Sequence, residues 1–173
     1  MKDDRKTPAE LAAIFKQLPA QSYDEAGEIG KTLVAGGAET VHQLVTLVGD
    51  ELGAADGSKP KEALHGLVIY ASRPGADDDR KVVAETLASE LAAEHSDELK
   101  AFIARQLQWC GRTEEVPAIA ELLSSDRLCE PATQALLAIG GKEAHEALRS
   151  ALSQASEQRR ATLSQAVGLL SAR

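Results

Sequence analysis

Aromatic side chains are nearly missing from this chain: they make up 3% of 173 residues, with one Trp and two each of Tyr and Phe. A core of ordinary density must then come from Ala, Leu, Val and Ile, and the small members of that set let helices approach closely. Strict alternation of apolar and polar residues over the length of a strand is also absent, which excludes a half-buried sheet. Two cysteines are too few for a disulfide framework. No apolar run reaches membrane-spanning length. The opening residues Met1-Lys2-Asp3-Asp4-Arg5-Lys6 are charged and lack a following apolar region, so no signal sequence is expected and the expected location is cytoplasmic. Basic residues are in deficit, 19 against 27 acids for a net charge of −8. A surface that works by neutralising phosphates needs the opposite balance, which argues against nucleic acid and anionic membrane as partners.

What is present is helical periodicity, clearest between Glu98 and Gly140. Leu99, Ile103, Leu107 and Cys110, followed by Gly111, advance by four, four and three residues. Leu128, Ala132, Leu136 and Ile139, followed by Gly140, repeat those steps 29 residues later. The spacing keeps each set on one helical stripe. It returns with Leu163, Val167 and Leu170 before Ser171, and Leu91, Leu123 and Leu152 mark a second stripe at intervals of 32 and 29. A period of about 30 residues made of paired helices is the mark of a stacked solenoid. In that arrangement Cys110 ends one helix and Cys129 begins the next equivalent one, well over about 10 Å away, so both are expected as free thiols.

Taken in order, residues 1–7 are polar and expected to fray. Thr7-Pro8-Ala9-Glu10 starts a helix with Thr as cap, and Leu11, Ile14, Phe15 and Leu18 form its stripe up to Pro19. A second helix follows Ser22 and stops at Gly36-Gly37. These two form a capping unit over residues 1–37, and residues 38–173 form one continuous array. Helix pairs are expected at 38–72, 79–111, 114–140 and 142–171, with a loop at Glu51–Pro60 and acids Asp77-Asp78-Asp79 at a helix start, where the macrodipole favours them. The total is about ten helices in an all-α chain.

The segments EEVPAIAELLSSD and ATQALLAIG resemble HEAT repeats, in the short form also found in phycobilisome-lyase-type repeat proteins. The resemblance is clearest over residues 98–171. It implies a right-handed α-α superhelix of helical hairpins and a concave face lined by the second helix of each pair. The family's Arg positions fall on Lys100, Cys129 and Arg160, and its turn acids on Asp97 and Asp126, with none before Arg160. That ladder is incomplete, so packing rather than ion pairs is expected to hold the stack.

Catalytic signals are weak by comparison. Gly27-Glu28-Ile29-Gly30-Lys31-Thr32 resembles a phosphate loop, but position 25 is Glu where a Gly is needed, and the segment reads as helix. His42, His65, His95 and His145 fall in different units without zinc-ligand spacing. No strand-turn-helix elbow presents a serine. Asp77–Asp79 lacks the alternating ligands of a calcium loop. Neither cofactor nor metal is expected, and no enzymatic role. Two basic pairs, Arg80-Lys81 and Arg159-Arg160, could line a basic face, but the chain beyond Trp109 is near neutral, with seven bases against eight acids.

The repeat register sets Trp109 level with Tyr70, and Trp, Tyr and Arg dominate binding hot spots. The sequence therefore points to a non-enzymatic scaffold that takes a protein or peptide on its concave face. The expected contact residues are Tyr70, Arg105, Gln106, Trp109, Gln134, Arg160 and Gln165. The competing readings are a bilin-lyase-like enzyme or accessory, which the repeat type implies, and a HEAT-like nucleic-acid module. The last helix, 157–170, is a candidate homodimer contact because the chain ends with its stripe uncapped.

Overall fold

The computed structural model of the chain describes residues 8–52 and 58–171. Among them are ten α-helices and no strand: α1 Ala9–Phe15, α2 Tyr23–Ala35, α3 Gly37–Asp50, α4 Lys59–Ala71, α5 Asp77–Ala92, α6 Asp97–Cys110, α7 Val116–Glu121, α8 Cys129–Ile139, α9 Gly141–Ser153 and α10 Glu157–Ser171. The expected frayed segment 1–7, with the Thr7 cap, lies outside the described residues, as does most of the expected loop at 53–57.

Local chemistry explains the boundaries. Ser22, Ser58 and Ser96 have extended backbones and each hydroxyl accepts from the N–H three residues on, at 3.2, 3.4 and 3.3 Å. Each satisfies one of the donors a helix start leaves unpaired. Helix α4 begins at Lys59, two residues before the sequence suggests, because Ser58 caps it and Pro60 fits the first turn. Asp77, Asp78 and Asp79 occupy the first turn of α5. The segment after Gly111 is not one helix: 3-10 turns at Thr113–Glu115 and Leu122–Ser124 flank the six residues of α7. Between α8 and α9 the chain reverses through Gly140 (φ 69°) and Gly141 (φ 82°), where a side chain would strain the backbone.

Helices α2, α4, α6, α8 and α10 pack side by side in that order, and α3, α5, α7 and α9 do the same. Each helix also packs on its successor through the pairs α3–α4, α5–α6, α7–α8 and α9–α10, while α1 rests on α4. One hydrophobic cluster runs through the molecule from Leu11 of α1 to Ala166 of α10. The stripe residues supply it: Leu99, Ile103, Leu107 and Cys110, then Leu128, Ala132 and Leu136, then Leu163, are all buried. Ile139 and Val167 are half-buried against it. At about 25 cal/mol per Å² of apolar surface, such a core is the chief source of stability in a chain with so few rings.

Polar ties cross between helices at the ends of the elements. Arg80 donates from Nε to the Cys110 carbonyl (2.8 Å) and from Nη2 to the Gly111 carbonyl (2.9 Å), satisfying the open end of α6. Arg112 reaches Asp77 Oδ1 at 2.6 Å. Asp126 is taken by Arg159, at 3.1 Å, and Arg159 also donates to the Leu123 carbonyl at 2.8 Å. Arg160, which the family register would place opposite a turn acid, donates instead to the Ala155 carbonyl at 3.0 Å.

Candidate partner-binding face

Trp109 stands on the outward side of α6 and is 55% exposed. One turn earlier, Arg105 shares that side and is exposed. Gln106 lies 60° around the helix toward α4 and is buried, 5% exposed. Its Oε1 accepts from Nδ1–H of His65 on α4 (3.0 Å), and the His65 ring in turn meets Trp109 edge-on, with centroids 6.0 Å apart and planes at 74°. A buried amide thus orients an imidazole that props an exposed indole. The Ser72 hydroxyl donates to the Trp109 carbonyl at 3.2 Å and to the Val68 carbonyl at 2.8 Å, fastening the end of α4 to the end of α6.

Tyr70 takes a different side of α4. Its Cβ and ring lie against Gly30 of α2, and the Arg73 guanidinium covers the ring at 3.9 Å from its centroid. Arg73 is fixed by the Tyr70 carbonyl (2.8 Å) and by Asp79 (2.9 Å). Tyr70 is therefore a half-buried filler of the α2–α4 seam, while Trp109 projects; the ring partner of Trp109 is His65.

Gln134 is exposed on α8, and Arg160 and Gln165 are exposed on α10. The predicted residues thus fall on four helices of one layer, α4, α6, α8 and α10; His65 joins Gln106 to Trp109, Tyr70 lies in the α2–α4 seam, and Arg105, Gln134, Arg160 and Gln165 are exposed. Gln106 supports this face from beneath. Its burial follows from helix geometry, since it sits beside the Ile103–Cys110 stripe on the side turned to α4.

The sequence reading missed His65 and Arg73, whose roles depend on contacts across helices. It also treated His42 and His95 as unrelated. In the structure, both converge on Glu90 near the end of α5: His42 Nδ1 of α3 on Oε1, and His95 Nε2 on Oε2 at 2.5 Å. Each carboxylate oxygen is taken by one imidazole, and among the described residues no three His, Cys, Asp or Glu side chains form a group that could hold a metal ion. Burial works against the ionised form of Glu90. Hydrogen bonds from His95 and His42, and then their charges, outweigh it and hold the carboxyl below its usual range.

The thiols are free and buried. Burial pushes the Cys110 thiol up to about 12, and Cys129 is raised for the same reason, so neither suits a nucleophile. No helix among the described residues is long and apolar enough to cross a membrane.

With this geometry in hand, the class is an all-α protein of consecutively packed helices. No protein-family model matches the sequence, and no curated protein matches it either.

Proposed function

We propose that the chain is a HEAT-like repeat protein whose hairpins wind into a right-handed superhelix, and that it acts as a non-enzymatic scaffold. The partner is a protein or peptide that docks on the layer of α4, α6, α8 and α10, with Trp109 as its anchor. The observation that carries this reading is the indole itself. The chain's single Trp is 55% exposed, yet it packs edge-on against the His65 ring, which a part-buried hydrogen bond to Gln106 holds in place. An indole whose position is fixed before binding loses little entropy when a partner covers it. Arg105, Gln134, Arg160 and Gln165 would supply the polar surroundings that set specificity.

The test is affinity capture from native lysate with the wild-type chain and Trp109→Ala side by side, each bound protein quantified by mass spectrometry. A hot-spot residue is worth about 2 kcal/mol or more, roughly a 30-fold loss of affinity. Specific partners should therefore be depleted at least about tenfold in the variant while its helical circular dichroism is unchanged. If every partner is retained at wild-type level, the anchor is wrong.

A further inference from the structure

We infer that Glu90 is a proton-operated clasp: its carboxylate joins α3 to the α5–α6 connection, and protonation of that carboxylate releases the edge where α3 ends and α6 begins. The geometry is specific. The Glu90 side chain is 12% exposed, and its two oxygens are used by imidazoles from two different places in the chain, His42 on α3 and His95 just after α5. An ionised carboxylate only accepts, and here it meets one N–H at each oxygen. A proton added to either oxygen removes the negative charge, so neither N–H then meets an ionised acceptor and both bonds weaken.

The groups that bear on Glu90 are few. His42 comes from α3 and His95 from the connection. The faces that α4 and α6 bury are apolar, through Leu64, Leu67 and Val68 and through Leu99, Ile103 and Leu107, apart from Gln106, which His65 engages. On the α7 side, Glu85 lies five residues earlier along α5 and acts on Glu115. Next to the clasp is a cleft of about 550 Å³ between the end of α3 and the start of α6, bordered by His95, Asp50, Glu94 and Glu98. Release of Glu90 removes the polar tie along one wall of this cleft, so the cleft is the part that opens.

The sign follows from the direction of the shift. A carboxyl held below its ordinary value contributes stability that is complete above that value and is lost as pH falls through the depressed one. Two measurements on the full chain test the clasp. Carbon-13 NMR of the Glu90 carboxyl should show a midpoint below 4.5, its ordinary value. Hydrogen exchange by mass spectrometry, corrected for the intrinsic effect of pH, should show amides in 41–50 and 93–99 losing at least about tenfold protection across that titration, while α8 keeps its own. Glu90→Gln should lack the step and exchange faster in both segments at neutral pH. A midpoint at or above 4.5, loss of protection in step with α8, or a step that persists in Glu90→Gln each overturns the proposal. Should the variant fail to fold, the two wild-type measurements decide by themselves.

Discussion

A Cβ added to Gly30 of α2 would lie 2.6 Å from both Cβ and Cγ of Tyr70 on α4, so the absent side chain of one residue is the space that the other fills. Gly27, one turn earlier on the same helix, would meet nothing within 4 Å. The two glycines therefore separate helix propensity from packing. Ala in place of Gly gains about 1 kcal/mol in a helix interior, whereas overfilling a packed seam costs about 1–3 kcal/mol. Gly27→Ala should raise Tm by roughly 2–4 °C, and Gly30→Ala should lower it by a similar amount. Adding Tyr70→Ala to Gly30→Ala should make the second change non-additive, which a double-mutant cycle by thermal denaturation measures. Equal effects at the two glycines would contradict the contact.

Glu115 offers a pH effect opposite in sign to that of Glu90. It is 4% exposed, and burial raises its carboxyl above the ordinary 4.5 despite the bond its Oε2 accepts from the Arg112 N–H at 2.7 Å. A group raised in this way contributes stability that is complete below its unfolded value and is lost as pH rises through the folded one. Glu115→Gln keeps an oxygen for the Arg112 N–H but carries no charge to bury. Relative to wild type, the variant should gain Tm as pH is raised from about 4 to 7. A difference that is flat across this range, or that shrinks, would show that the buried charge is not the controlling feature.

The cysteines provide a chemical readout of opening. Cys110 is 0% exposed with its thiol pushed up to about 12, and Cys129 is 2% exposed and also raised. At pH 8 a disulfide reagent should label native protein only as fast as it opens, and should label both thiols within the mixing time in denaturant. The neutral Cys110 thiol also contributes stability that is complete below 9.0 and is lost as pH climbs toward about 12. Rapid labelling of either thiol under native conditions would show that its helix end is open.

Much of the helical plan was legible because it depends on near neighbours in sequence. Ser22 and Ser96 announce their helices, Gly-Lys-Thr at 30–32 reads as helix and is helix, and the four-four-three stripes of α6 and α8 lie in the core as their spacing requires, save for Ile139, which is half-buried against it. The break-up of the segment around α7 was not legible, since 3-10 turns at Thr113–Glu115 and Leu122–Ser124 preserve the apolar pattern of a single helix. The candidate face was legible only in part. A helical wheel turns Trp109 outward, but the side taken by Tyr70 depends on the missing side chain at Gly30. His65 and Gln106 are 41 residues apart, and His42 and Glu90 are 48 apart, so only the packing of helices shows that either pair meets. The Arg159–Asp126 pair fell one residue from the register that the repeat resemblance implies, and one residue is about 100° of helix.

The reversal between α8 and α9 bears on how this sequence can drift over generations. Gly140 and Gly141 both hold backbone angles that other amino acids rarely adopt, and no further residue separates the two helices. A codon change at either site strains the corner itself, and no neighbouring residue is free to take up the bend. Related sequences that share this corner should therefore retain the glycine doublet even where the helices on either side have diverged.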